Sequence, residues 1–286
     1  MGSICILTDS SAQFPQLGFS GRNDVRVISF DVEINGKLYK EGREIRATDL
    51  PPTASEQLNP RLISPSAETF QELFFNLGRY YSDIIAILTS ASLNPIYENA
   101  TEAAKIVQGR TNIAVIDSQT ISVGLGLLVQ MAAEAAASGQ SSSEIVQMIR
   151  SQIPHTYMAL CTPGLSYLRH AGFVDSAQAF VGEMLGVMPV FTLEEGQLSA
   201  IEKVRNMRGL VDFMQEFISE FDELHHIAFI QSIPNLTQEA RQMREYAQSC
   251  FAQTPYSEHT INLPLATLMG PRTVGIVTVE KIDLGR

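Results

Sequence analysis

Small hydroxyl, carboxyl and amide side chains gather at three places where apolar runs end: Thr8, Asp9 and Ser10; Ser64 and Ser66; and Ser90, Ser92 and Asn94. Hydroxyl donors beside the free backbone N–H groups of a helix start suit a carboxylate or phosphate, because the helix dipole and its unpaired amides favour an anion. The same residue types are the preferred helix caps, so capping stands as a competing reading at every one of these positions.

Self-sufficient chemistry finds less support. The sequence has no G-x-S-x-G nucleophile elbow. Its histidines, His155, His170, His225, His226 and His259, show no H-E-x-x-H or other metal spacing, and none falls at an expected parallel-strand end. His225 and His226 would point to opposite faces of a strand and could not chelate one ion. Cys5, Cys161 and Cys250 are isolated, without C-x-x-C spacing, so buried free thiols are expected rather than zinc or disulfides. No G-x-x-x-x-G-K-[ST] loop is present, and Gly124-Leu125-Gly126 lacks the third glycine of a dinucleotide fingerprint and lies in helical sequence. The adjacent carboxylates Glu194 and Glu195 read as solvated turn residues. No catalytic residue, metal or cofactor is expected.

The elements that would position the hydroxyl clusters are legible. Ile4 to Leu7, Ile84 to Leu88 and Ile113 to Ile116 are short apolar runs that break into small polar residues and then helical sequence. That pattern predicts buried parallel strands with crossover helices, and in such sheets the ligand sits beyond the carboxyl ends. Helices are expected over Tyr97 to Val107, Val123 to Ala137 with Gly139 as terminator, and Ile145 to Ile153, where Ser141 and Glu144 offer a capping box. Beyond Pro154 the texture changes. Phe173 to Leu193 is apolar and glycine-interrupted, Glu194 to Gln197 reads as a hairpin turn, and Leu210, Met214, Phe217 and Phe221 mark one helix face. Strands over His226 to Gln231 and Thr273 to Glu280 flank a helix from Gln238 to Cys250.

The fold class expected is therefore α/β: a parallel-sheet three-layer N-terminal domain over residues 1–154, followed by an α+β domain over residues 155–286. A chain of 286 residues with 45% hydrophobic and 18% charged residues buries a substantial core and suits two domains. Its net charge of −11, with no basic stripe, argues against nucleic acid as a partner. The Met1 to Gln13 start has no basic region before its apolar stretch, and no run of about 18 apolar residues suggests a membrane span, so the cytoplasm is the expected compartment.

Motifs in order along the chain resemble the DegV family. Ile6 to Pro15 resembles its T-D-S-x-x-D-L-P opening, and Val27 to Gly42 its next strand pair with a G-K-x-Y-x-x-G segment. Ser64-Pro65-Ser66 is similar to the end of a T-S-Q-P-S loop, and Ser90 to Tyr97 to S-S-x-L-S-G-T-Y. Asp117-Ser118, the Gly124-Leu125-Gly126 helix, Leu165 to Leu168 before Gly172, Met188-Pro189-Val190, Lys203-Val204-Arg205 and Gly270-Pro271 follow. The resemblance spans Ile4 to about Val279. It implies a long-chain fatty acid held between the two domains with its carboxylate at the strand ends, and in bacteria an ATP-binding fatty-acid kinase partner that makes the acyl phosphate used for phospholipid synthesis. Lipid contacts are accordingly expected from Ser64, Ser66, Ser90, Ala91, Ser92, Asn94, Phe173, Met269 and Arg272.

The departures bear on the head group. Leu62-Ile63-Ser64 replaces T-S-Q, Gly172-Phe173-Val174 replaces G-R-I, Met188 replaces a lysine, and Leu268 to Arg272 replaces H-T-G-P-G. A buried carboxylate without partners costs several kcal/mol or takes up a proton. Arg272 reads either as a replacement charge or as a solvent-facing turn residue. Three functions stay open: a fatty-acid carrier, the same fold holding a neutral or other apolar ligand, and an enzyme or regulatory subunit akin to dihydroxyacetone-kinase-like phosphotransfer proteins.

Overall fold

The structure, a computed structural model, describes residues 3–107, 109 and 111–282. The outer ends of both expected domains, and Met1 of the start read for a signal, lie outside them.

The first half runs β1 (Ile4–Asp9), β2 (Val25–Ile28), β3 (Asp31–Ile34), β4 (Lys37–Lys40), β5 (Arg61–Ile63), α1 (Ala67–Leu77), β6 (Asp83–Leu88), α2 (Ile96–Ile106), β7 (Asn112–Asp117), α3 (Val123–Ala137) and α4 (Ser142–Gln152). Strands β2, β1, β6 and β7 lie in that order, all parallel. Cys5 to Asp9 and Ile84 to Leu88 are buried throughout, as strands covered on both faces must be. Helices α1 and α2 pack one face through Phe70, Phe74, Ile96 and Ala100. Helices α3 and α4 pack the other through Leu125, Val129, Ile145 and Ile149. The capping box at Ser141 and Glu144 forms, and Gly139 takes a φ of 91° beyond the end of α3.

The second half runs β8 (Thr156–Cys161), α5 (Ser166–His170), α6 (Ser176–Leu185), β9 (Met188–Glu194), β10 (Gln197–Val204), α7 (Met207–Ser219), β11 (Leu224–Gln231), α8 (Thr237–Cys250), β12 (Tyr256–Thr260), α9 (Leu263–Met269) and β13 (Val274–Glu280). Its sheet has the order β10-β9-β8-β13-β11-β12, antiparallel except for the β11–β12 pair. Alternation on β8 sends Met158 and Leu160 to one face. Ala159 and Cys161 go to the other, under Leu210 and Met214 of α7 and Met243 of α8.

Helix α3 explains how the halves meet. It is apolar almost all round, which suits a helix covered on every side. It touches β1 and β6 of the parallel sheet and β8 and β13 of the mixed one. A small antiparallel sheet, β4-β3-β5, joins the same contact: Val32, with Ile45 and Leu50 from the loop after β4, shares a core with Leu265 and Ala266 of α9.

Several details differ from the sequence expectation. The apolar stretch from Phe173 contains helix α6, Phe221 lies past the end of α7, and β5 and β12 are additional strands. The Glu194 to Gln197 turn forms as expected, with Glu195 at φ 49° and Gly196 at φ 82°, the left-handed pair that a tight hairpin requires. Along β9–β10 the register shifts between Ala200 and Glu202, leaving Ile201 as a bulge.

Candidate functional site

The carboxyl ends of β1 and β6 are tied to each other before anything else can bind there. The Asp9 carboxylate is buried and accepts from the Ser11 N–H at 2.9 Å, the Thr89 N–H at 2.7 Å and the Thr89 hydroxyl at 2.8 Å. Burial pushes its carboxyl above the usual range, opposed by these bonds from Ser11 and Thr89. The Ser10 hydroxyl donates to Glu41 and accepts from the Phe30 N–H at 3.1 Å. Burial raises Glu41 to about 7; the Ser10 bond lowers it and the nearby Asp9 charge adds to the rise. Thr8 is buried, and its hydroxyl has no partner among the described residues.

At the end of β6 the hydroxyls reach across to the second half. Ser90 donates to the Gly196 carbonyl at 2.8 Å, and Ser92 donates to the same oxygen. The Ala91 N–H donates to Asp117 at 3.1 Å. Asn94 uses its amide oxygen twice, accepting from the Ser64 hydroxyl at 3.1 Å and from the Ile96 N–H at 3.0 Å at the start of α2.

Beside Asn94 lies a cavity of about 330 Å³, at the low end of the usual range for ligand sites. Leu62, Leu93, Ile121, Phe173 and Leu268 form its apolar wall, drawn from β5, the loops after β6, β7 and α5, and helix α9. Leu62, Phe173 and Leu268 occupy three of the positions where the resemblance leads one to expect threonine, arginine and histidine. Its polar lining consists of Asn94, Arg61, His170 and Thr267. The Thr267 hydroxyl is already committed to the Leu263 carbonyl at 2.8 Å. The Arg169 guanidinium approaches His170 Nε2 at 3.0 Å. Arginine can only donate, so that nitrogen accepts and the ring proton sits on Nδ1.

The expected lipid contacts separate accordingly. Asn94 and Phe173 line this cavity. Ser64 touches Asn94, while Ser66 caps α1 by accepting from the Thr69 N–H at 3.3 Å. Ser90 and Ser92 hold the hairpin, and Ala91 leans on Asp117. Met269 is buried in the adjoining core, its carbonyl accepting from Thr162 and Thr273 at 3.1 Å each. Arg272 is exposed and lines a different cavity, of about 250 Å³, with Cys161, Met207 and Leu210. Sequence reasoning missed Arg61 and His170. Neither carries a motif, and His170 reaches the cavity although it is far from any parallel strand in sequence. A wider cleft of about 1270 Å³ opens at the amino ends of β1, β6 and β7, the end opposite to that where α/β sheets hold ligands.

Among the described residues no three His, Cys, Asp or Glu side chains gather as a metal site, and no helix is long and apolar enough to cross a membrane. Burial pushes the Cys5 and Cys161 thiols up to about 12, leaving them unreactive.

Comparison with known proteins adds four likenesses. The sequence model of the family described as "Uncharacterised protein, DegV family" matches residues 3–281. A DegV domain-containing protein of Caldanaerobacter subterraneus is 31% identical over 227 residues, which cover 78% of this chain and 80% of that protein. Among solved structures, a fatty acid binding DegV family protein from Streptococcus agalactiae superposes with a TM-score of 0.85 at 24% identity, covering 98% of this chain and 99% of that one. The Streptococcus pneumoniae fatty acid kinase B3 protein, loaded with linoleic acid, does so with a TM-score of 0.83 at 18% identity, covering 98% and 100%. At these identities the superpositions show a shared two-part α/β fold.

Proposed function

This chain belongs to the DegV family, and from that membership we propose that it binds a long-chain fatty acid, performs no chemistry on it, and presents it to an ATP-binding fatty-acid kinase. The cavity beside Asn94 carries this reading. It lies at the carboxyl ends of the parallel strands, its wall is apolar, and an amide stands at one side. The fatty-acid-binding protein of Streptococcus agalactiae and the linoleate-loaded kinase B3 protein share its fold, which supports the choice of ligand. We divide the chain at Pro154, a boundary supported by the membership of β7 and β8 in different sheets. The free cysteines fit the reducing cytoplasm, where ATP is at hand.

Organic extraction of freshly purified protein followed by mass spectrometry tests the proposal. A fatty acid should be recovered in near-stoichiometric amount, and delipidated protein should gain thermal stability when the acid is returned. Recovery of no lipid, together with no thermal shift, would overturn it. A second reading, an uncharged apolar ligand in the same cavity, is favoured by Leu62, Phe173 and Leu268 standing in its wall.

A further inference from the structure

We propose that Arg61, His170 and the Asn94 amide together hold the ligand carboxylate, at the mouth of the cavity rather than at its floor. The inference rests on the fatty-acid reading and assigns its head-group site.

Counting donors leads to it. A carboxylate taken from water needs hydrogen bonds and an opposite charge, or it costs several kcal/mol. The hydroxyls nearest to hand are spent. Ser90 and Ser92 donate to the Gly196 carbonyl, Ser64 to Asn94, and Thr267 to Leu263. The apolar residues Leu62, Phe173 and Leu268 supply none. What remains in the cavity lining is the NH₂ group of Asn94, the Nδ1–H of His170 and the Arg61 guanidinium, none with a hydrogen-bond partner among the described residues.

Charge points the same way. No Asp or Glu lines this cavity among the described residues. Arg61 stands opposite Glu33 in the β3–β5 pairing, yet forms no ion pair with it. A guanidinium left open at a cavity rim offers a fork that matches a carboxylate. Because His170 takes a hydrogen bond from Arg169 at Nε2, its remaining ring N–H is a donor even when the ring is neutral.

Position adds a functional consequence. Arg61 is exposed, whereas Ile121 and Leu268 are buried. The head therefore sits at the opening with the chain directed inward, where a kinase can reach the carboxylate oxygen without the ligand leaving.

The test measures affinity of delipidated full-length protein for oleate and for methyl oleate, in the wild type and in an Arg61→Gln, His170→Gln double variant. The wild type should prefer the acid by about tenfold or more. In the double variant the ratio should fall to near one, while Arg272→Gln should keep the wild-type preference. A double variant that still prefers the acid would overturn the assignment. So would a wild type that binds acid and ester equally, although the lipid reading would then survive. Failure of the wild type to bind either would instead sink the lipid reading itself. Thermal unfolding of the double variant shows that it is folded, and Arg61→Lys should restore part of the preference.

Discussion

The Ser90 hydroxyl donates to the Gly196 carbonyl at 2.8 Å, joining the end of a parallel strand to a hairpin turn 106 positions further along the chain. That bond explains why the serines after β6, which suit an anion by type, serve instead as the latch between two sheets. The hairpin tip is as closely fitted as the bond suggests.

Gly196→Ala should therefore be costly. An added Cβ would lie 2.6 Å from the Ser90 hydroxyl oxygen and 3.3 Å from Gln119 Cα, at a φ of +82°. We expect a loss of about 2–3 kcal/mol in urea denaturation. Ser90→Ala should cost only about 1 kcal/mol, because Ser92 still donates to the same carbonyl. A reversed order would contradict the latch.

Asp9→Asn removes charge and acceptor capacity where the Ser11 N–H, the Thr89 N–H and the Thr89 hydroxyl all point. The new amide would turn an N–H toward at least one of these donors. A loss of about 2–4 kcal/mol is expected, read as a fall in Tm. An unchanged Tm would show that these bonds do not hold β1 to β6.

Glu41 gives stability a pH dependence of defined sign. Its folded value of about 7 lies above the ordinary 4.5, so its contribution is complete below about pH 4.5 and disappears as pH rises through about 7. Relative to wild type, Glu41→Gln should gain stability between about pH 5 and about pH 8. The gain is bounded by about 1.4 kcal/mol for each factor of ten between the proton affinities of the folded and unfolded carboxyl. His226 works in the opposite direction, since burial, aided by His225 and His259, pushes it down to about 4 and stability is lost as pH falls below 6.5. Only the difference between variant and wild type isolates Glu41. A difference that does not change with pH would remove Glu41 from the account.

Leu268→Trp should fill the cavity. The substitution overpacks a wall residue at a cost of about 1–3 kcal/mol and leaves little space for an alkyl chain. Lipid recovered from the variant should fall about tenfold or more relative to wild type at equal protein. Undiminished recovery from a folded variant would place the ligand elsewhere.

The sequence showed the parallel strands clearly because they are continuous apolar runs ending in turn residues. It concealed β12 for the opposite reason. Tyr256-Ser257-Glu258-His259-Thr260 has almost no apolar pattern, and becomes a strand by pairing with β11. Helix α6 exposes Phe180, Val181, Met184 and Leu185, so no single buried stripe announces it. Gly124-Leu125-Gly126 is not a nucleotide signature, and packing accounts for it. A Cβ on Gly126 would meet the Gln13 carbonyl oxygen at 2.0 Å, and one on Gly124 would meet the Thr120 hydroxyl at 2.4 Å. Of the proposed site, Asn94 and Phe173 are visible through their motifs. Arg61 and His170 are not, because nothing local marks two residues that only tertiary packing brings to one opening.

The bulge at Ile201 affects what the protein does in company. Strand β10 is one of the two margins of the mixed sheet, with no strand paired beyond it among the described residues. A straight margin of that kind invites a second copy to add its own strand and begin a growing aggregate. Here the extra residue bends the margin, and the exposed Glu202 and Lys203 follow directly after it. Bend and charge together disfavour strand addition by a second copy along that side.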